Sequence, residues 1–530
     1  MMSPDWWTLP LPLPLLVVVV VVVVVWWRRW SGHFARQGAP SLRPLPFVGN
    51  MLPLAFRKLA MHDIVIQLYH KLDPHAYGGF FLFSVPLVMI RDPEIIRTVT
   101  VKDFDHFTDH FVLFGNSKHN PMLRRMLFSL KGREWHDMRC TLSPAFSSMK
   151  MKNMFLLMTE IGHQMVEYLT KKTAEHEISS GGEGTLTLEM KDFFTRMTND
   201  IIATTAFGVK VDSLSEPNNS FYTMGRDLTT FRPTVAFGYL ISPKLMELLR
   251  IPFLDPKAVD YFTSIISETI RTREKHGIIR HDMIHLMMQA RRGELTSQEE
   301  EVNGTTEVKG KPPLTDEDVT AQAVIFFFGG FDTVSSLMVF SSYLLATHPD
   351  VQRRLQREVD DVMQKSSGQP SYEEVLGCQY LDMVLSETLR MYAPLPALDR
   401  QCVRPYRLPA VGRGSCPGLE LRPGDGVWLP VHAIHHDEKY FPDPDRFDPE
   451  RFSPENKHLI KPFTYFPFGC GPRFCIAQRF ALMETKVVLL HMLSKFSLQI
   501  VPKTPVPLKI QPKPNLLIQG GAWLGLRRRT

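Results

Sequence analysis

Apolar residues recur every three to four positions over long parts of this chain. They predict helices over Met149–Lys172, Asp316–Thr347, Pro349–Lys365 and Glu373–Tyr392. Alternating runs near Phe80–Ile90 and Asp425–Pro430 predict short strands. The pattern is therefore mainly α with a minor β portion. Glu294–Pro313 is polar, carries Glu299-Glu300-Glu301, and reads as a surface loop between helices. Phe231–Phe262 is apolar but broken by Pro233, Pro243, Pro252 and Pro256. It reads either as core or as a lip that dips into a membrane, since exposed apolar patches often mark such contacts.

The N-terminus has a different pattern. Leu9–Trp27 is continuously apolar, with valine at every position from 17 to 25. A membrane-spanning helix needs about 20 such residues. Pro10, Pro12 and Pro14 disfavour helix at its start, so the helix is expected from near Pro14. Trp6, Trp7, Trp26, Trp27 and Trp30 flank the stretch as an aromatic belt does. Arg28, Arg29, Arg36 and Arg43 follow it, whereas Asp5 is the charged side chain before it. The positive-inside rule then leaves the bulk of the chain in the cytosol. A cleaved signal peptide is the alternative, but it calls for a basic n-region and a small-residue cleavage site. Two sequons, Asn218-Asn219-Ser220 and Asn303-Gly304-Thr305, are accordingly expected to carry no glycan. The Pro44–Asn50 segment reads as a stiff spacer ending in a turn. Residues 1–30 are thus expected to be an anchor, 31–50 a basic, proline-rich hinge, and 51–530 one large catalytic domain.

Composition narrows the function classes. A net charge of +6 without a basic, aromatic-interleaved stripe does not point to nucleic acid. It suits an anionic membrane surface or an acidic protein partner. Cys140, Cys378, Cys402, Cys416, Cys470 and Cys475 form no C-x-x-C pair, which favours a reducing compartment.

Candidate chemistry concentrates around Cys475. Phe468-Gly469-Cys470-Gly471-Pro472-Arg473-Phe474-Cys475 is a glycine-rich loop followed at once by a helical run from Gln478. Backbone N–H groups, an arginine and a helix N-terminus favour an ionised thiolate, and suit one bound to a metal cofactor with an anionic edge. A buried structural cysteine in a tight turn also fits. Within Asp316–Thr347, Gly329 and Gly330 each cost a helix roughly 1 kcal/mol relative to alanine. Missing side chains there let a flat group approach the backbone, and Asp332 with Thr333 forms an acid–hydroxyl pair suited to proton delivery. A simple packing kink fits the same glycines. Glu387 and Arg390 share a helix face at i, i+3. Trp135 and Arg139, at i, i+4, are donors without acceptor capacity and suit a carboxylate.

Taken in order, these motifs resemble the cytochrome P-450 superfamily. The loop F-x-x-G-x-R-x-C-x-A, the stretch Gly329-Gly330-Phe331-Asp332-Thr333-Val334-Ser335, Glu387-x-x-Arg390, Pro449-Glu450-Arg451-Phe452, the segment from Trp135 to Phe146 and the proline-rich hinge are spread over residues 44–486. The resemblance implies the P-450 fold, a single haem domain behind an N-terminal transmembrane anchor. It implies haem b with Cys475 as axial ligand, and Trp135, Arg139 and Arg473 on the propionates. Phe468, Gly329 and Gly330 would border the cofactor, and Thr333 with Asp332 would activate oxygen. Glu387, Arg390 and Arg451 would form a buried structural network. Ser143-Pro144-Ala145-Phe146 with Arg280–His285 looks most like the clan holding insect detoxification enzymes and the main vertebrate drug-metabolising subfamily. Val334 stands where the family often has a second Thr or Ser.

The resemblance further implies a monooxygenase acting on lipophilic small molecules, either xenobiotics or endogenous hormones and lipids, at the endoplasmic reticulum membrane. Electrons would come from NADPH through a separate diflavin reductase, with a b-type cytochrome as possible helper. A haem-thiolate isomerase or dehydratase and a non-catalytic haem or ligand carrier are the alternatives; the intact Asp332-Thr333 pair argues against both. Phe104, Phe107, Phe111 and Phe114, together with Phe326, Phe327, Phe328 and Phe331, are expected to line an apolar pocket. Among weaker signals, His281-Asp282-Met283-Ile284-His285 resembles a zinc motif but lacks an evident third ligand. His435-His436 reads as surface loop. Cys470 competes with Cys475 as ligand but lacks the arginine two places before it.

Overall fold

The computed structural model describes residues 27–111, 120–179, 184–230, 232–280, 282–292, 314–411, 416 and 418–529, with isolated positions 18, 21 and 25. Most of the N-terminal apolar stretch, the loop 294–313, Phe114, His281 and the Asn303 sequon lie outside the described residues.

Nine helices frame the site: α1 (Gly132–Leu142), α2 (Ser148–Ser179), α3 (Met190–Ile202), α4 (Pro256–His276), α5 (Asp316–Phe331), α6 (Thr333–Thr347), α7 (Pro349–Lys365), α8 (Gln379–Met391) and α9 (Gln478–Lys495). Among the described residues, three small sheets accompany them. The largest runs β1 (Tyr77–Leu82), β2 (Val85–Ile90), β7 (Gly426–Leu429), β4 (Leu398–Gln401), with β2 and β7 parallel and the other pairs antiparallel. A second sheet pairs β3 (Thr185–Glu189) and β8 (Phe496–Gln499) with β9 (Trp523–Arg528), and β5 (Tyr406–Leu408) pairs β6 (Leu419–Leu421). One apolar core lies among the helices and a second packs under the β1–β2 sheet.

The hinge segment is folded onto that sheet. Leu42 N–H donates to Gly79 O at 2.9 Å, and Asn50 exchanges bonds with Phe81 through both backbone and side chain. Gly49 is required there: its φ is +58°, and a Cβ would lie 2.4 Å from Phe83 O.

Two expected helices are divided. The run Asp316–Thr347 is the one described helix long and apolar enough to span a membrane, yet most of it is buried in the protein as a core element. It breaks at Asp332 into α5 and α6. The break is stabilised by hydroxyls: Thr333 donates to Gly329 O, and Ser335 (3.0 Å) and Thr198 of α3 (2.9 Å) both donate to Phe331 O. Such groups satisfy carbonyls that an opened helix leaves without ladder partners. Glu373–Tyr392 is likewise two helices, Tyr372–Leu376 and α8. Glu358 of α7 stops them fusing by accepting from Tyr380 N–H and Leu381 N–H at the start of α8.

Phe231–Phe262 forms Pro233–Ile241, Pro243–Leu248 and the beginning of α4, each opening on its proline. Tyr239 is buried, whereas Phe237, Leu245, Leu248 and Leu249 are exposed. The segment is thus core on one side and apolar surface on the other.

Candidate active site

The cysteine loop owes its shape to glycines. Gly469 and Gly471 sit at φ +82° and +69°, and a Cβ on Gly471 would fall 1.8 Å from Thr100 O. Phe474 N–H donates to Gly471 O and Cys475 N–H to Phe468 O at 2.8 Å, which turns the chain just before α9. Cys475 is partly accessible. Burial pushes the thiol above its ordinary range, and the Ala477 N–H and Arg139 offset this only in part. A sulfur in that balance becomes a thiolate when it coordinates a metal. Burial also raises the Cys470 thiol, which donates to Thr100 Oγ1 at 3.4 Å.

Helix α1 lies against this loop. Trp135 is buried under the Arg473 guanidinium, 4.1 Å from ring centroid to carbon. Arg139 donates to Phe474 O at 2.8 Å and stands over its ring. Arg473 is itself buried. Its donors reach only carbonyls, Thr108 O and Leu130 O at 2.7 Å and Leu127 O at 3.5 Å, while Asp109 stays 3.8 Å away. Burial pulls the guanidinium down to about 9, with Asp109 opposing.

Sequence reasoning missed Arg400, which is 1% exposed. It donates to Asp399 O and to Cys470 O in the loop, and its Nε has no partner. The adjacent Asp399 carboxylate is occupied by Phe111 N–H and by His110 at 3.4 Å. An arginine in a strand carries no local signal that it will be buried beside a loop seventy residues later.

On the glycine helix, Gly329 is exposed between half-buried Phe328 and Gly330, and a Cβ there would meet no atom within 4 Å. Gly330 differs: a Cβ would press on Ile202 of α3 at 2.8 Å. Thr333 and Asp332 are each engaged separately. The Thr333 hydroxyl is held on Gly329 O, and the Asp332 carboxylate is 2.7 Å from Lys191 Nζ. Lys191 is a second residue that sequence reasoning missed.

Beneath the loop, Arg390 binds Glu387 through Nε (2.7 Å) and Nη2 (2.8 Å), both side chains being fully buried. Arg451 approaches the same carboxylate at 3.4 Å, and Asp448 N–H donates to it at 3.1 Å. Burial raises the Glu387 carboxyl despite these partners.

Other expectations are corrected. Phe327 and Phe331 do not line a pocket: both are buried, Phe327 packing with Phe207, Phe221 and Phe262 in the core and Phe331 stacking on Phe327. Helical geometry turns them away from Phe326 and Phe328, which stay half-buried. His435 is fully buried rather than on a surface loop, because the short helix Val431–His435 packs inward. Asp282 caps the following helix and pairs with Arg273 at 2.5–2.7 Å, so that its carboxylate serves the scaffold.

The comparisons with known proteins decide the family. The Cytochrome P450 family model matches residues 39–521. The chain belongs to the cytochrome P450 family. It is 49% identical over 509 residues to cytochrome P450 9e2 of Blattella germanica, covering 94% of each chain. It is 37% identical to probable cytochrome P450 9f2 of Drosophila melanogaster, over 95% of this chain and 97% of the relative. Cytochrome P450 6k1 of Blattella germanica is 34% identical over 92% and 90%. This P450 is a haem-thiolate monooxygenase, and haem b is its cofactor. Its residues fit that group. Two buried guanidiniums, Arg473 and Arg400, hydrogen-bond carbonyls rather than carboxylates, with Asp109 3.8 Å from Arg473, and suit an additional anionic partner. Gly329 borders open space, and the half-buried Cys475 has its sulfur beside Arg139.

Proposed function

We propose that this P450 inserts one oxygen atom of O2 into lipophilic small molecules, xenobiotics or endogenous hormones and lipids, using electrons from NADPH. Cys475 holds the iron. Trp135, Arg139, Arg473 and Arg400 bind the propionate edge, with Phe468, Gly329 and Gly330 bordering the ring. Once held there, haem supplies the redox chemistry that places one oxygen atom in the substrate and releases the other as water. The chain's own residues manage protons and position. Thr333 Oγ1 holds a proton at the opened turn, and Asp332 is the acid beside it. Glu387, Arg390 and Arg451 fix the scaffold below the loop. The observation that carries this reading is Arg473: a buried cation whose hydrogen bonds go to carbonyls, with Asp109 3.8 Å away, two residues from the partly accessible Cys475.

The donor is a separate diflavin reductase with a b-type cytochrome as auxiliary, since no nicotinamide or flavin motif occurs here. Residues 1–30 anchor the protein in the endoplasmic reticulum membrane, 31–50 form the linker, and 51–530 face the cytosol. Exposed Phe237, Leu245, Leu248 and Leu249 contact the same membrane. Asn218 is exposed, so the absence of a glycan on it reports cytosolic topology.

The test is reconstitution of the full chain with reductase and NADPH, using lipophilic compounds selected by their binding difference spectra. Product carrying one atom from labelled O2 is expected. Turnover of a lipid hydroperoxide without reductase, and none with reductase and NADPH, would reverse the reading.

A further inference from the structure

A cavity of about 180 Å³ lies where α6, the chain segment 511–522 and the junction of β3 with α3 meet. Its lining is mostly apolar. Val339 and Phe340 contribute from α6, and Leu516, Ile518 and Ala522 from the facing segment. All five are buried from bulk solvent. Phe340 is fixed by stacking on Tyr392, 4.5 Å between centroids. Cys475, Gly329, Thr333 and the arginines of the cofactor site take no part in the lining.

Four polar side chains also line the cavity, and three of them are already engaged. Lys191 Nζ lies within 3.2 Å of Asp332 Oδ1, Asp332 O, Ser335 Oγ and Ser336 Oγ, so its charge is met and its protons are taken. Ser336 donates to Asp332 O at 2.7 Å. Glu189 accepts from Asp192 N–H at 2.7 Å and from Ala522 N–H at 2.8 Å. Gln511 is the exception. Its Nε2 donates to Ile518 O at 3.4 Å, and its Oε1 is buried without a partner among the described residues. Turning the amide over would set two oxygens against each other. A buried amide oxygen in this position calls for a donor.

These groups define an occupant. An apolar cavity of about 150 Å³ holds a benzene molecule, so this one has room for a single ring or a short branched chain. An acid would find Lys191 already paired and Glu189 beside it. An ammonium would lose its hydration among apolar side chains. We propose that the cavity is a second small-molecule site, for a neutral lipophile of single-ring size carrying one O–H or N–H donor for Gln511 Oε1. A molecule held there is away from the cofactor residues, so the site is separate from that of the substrate. The proposal does not depend on the roles of Asp332 and Thr333.

The experiment uses the haem-loaded full chain saturated with clotrimazole, an azole that closes the substrate side by binding iron and is too large for this cavity. Binding of para-fluorophenol, and of para-fluorotoluene, which lacks the donor, is followed by fluorine NMR. Saturable binding of para-fluorophenol is expected. Gln511→Leu should lower the affinity ratio of the phenol to the toluene about tenfold, since the phenol alone uses the acceptor. Val339→Phe fills the cavity and should abolish binding of both probes. If that variant fails to take up haem, the ratio measured in Gln511→Leu decides alone. Absence of saturable binding, or binding lost whenever clotrimazole is present, would overturn the proposal. So would an unchanged ratio in Gln511→Leu, or full binding to haem-loaded Val339→Phe.

Discussion

The Arg473 guanidinium rests on the Trp135 indole, with its carbon 4.1 Å from the ring centroid, and this contact ties the cysteine loop to α1. A desolvated cation–π pair is worth about 2 kcal/mol. It also aims a cation that no hydrogen-bonded carboxylate neutralises. Arg473→Ala and Trp135→Ala should each lower the haem-to-protein absorbance ratio of the purified enzyme. Because the two side chains act as a unit, the double variant should lose less than the sum of the single losses. Additive losses would show that Trp135 contacts the cofactor independently.

Cys475 and Cys470 make opposite predictions. Cys475 is half-buried, and its sulfur is near the Ala477 N–H and Arg139. Cys470 donates to Thr100 and accompanies Arg400 through its carbonyl. Cys475→Ser should abolish the thiolate signature of the reduced carbon-monoxide complex, whereas Cys470→Ser should preserve it. The reverse pattern would move the ligand to Cys470.

The Glu387–Arg390 pair is fully buried, and Glu387 is also the acceptor for Asp448 N–H. Removing one partner leaves an uncompensated charge. Such losses cost about 3–5 kcal/mol. Glu387→Ala should therefore lower the denaturant midpoint by that equivalent, with unfolding slope unchanged. A shift typical of an exposed pair, about 0.5 kcal/mol, would show that solvent reaches the network.

How much of this was legible beforehand depends on the range of each interaction. The helix Pro349–Lys365 and the turn before Cys475 are local, written in periodicity and in the closely spaced Gly469 and Gly471. The break at Asp332 is not, because it depends on Thr198 arriving from another helix. Lys191 and Arg400 were invisible for the same reason: their partners lie 141 and 70 residues away. The phenylalanines of α5 show a subtler failure. Composition announced an apolar environment, but only packing against Phe207 and Phe262 decided that Phe327 faces core rather than substrate.

The histidines beside this scaffold should make the protein acid-labile. His62 lies 4.8 Å from His432 between ring centroids, and His432 lies 4.2 Å from His436. His435 Nε2 accepts from Phe466 N–H at 3.1 Å, so that nitrogen is unprotonated in the native state. Burial holds all four imidazoles below their ordinary value of 6.5, His62 and His436 at about 4. The unfolded chain therefore binds protons first as pH falls. Stability is complete above pH 6.5 and declines toward pH 4, at a limit of about 3 kcal/mol for a residue such as His62. Denaturant midpoints measured across that window should fall steeply for the parent. They should fall less steeply for His62→Gln, whose amide can still donate to Ala393 O, the 3.0 Å partner of His62 Nε2. An unchanged slope in that variant would assign the acid lability to other groups.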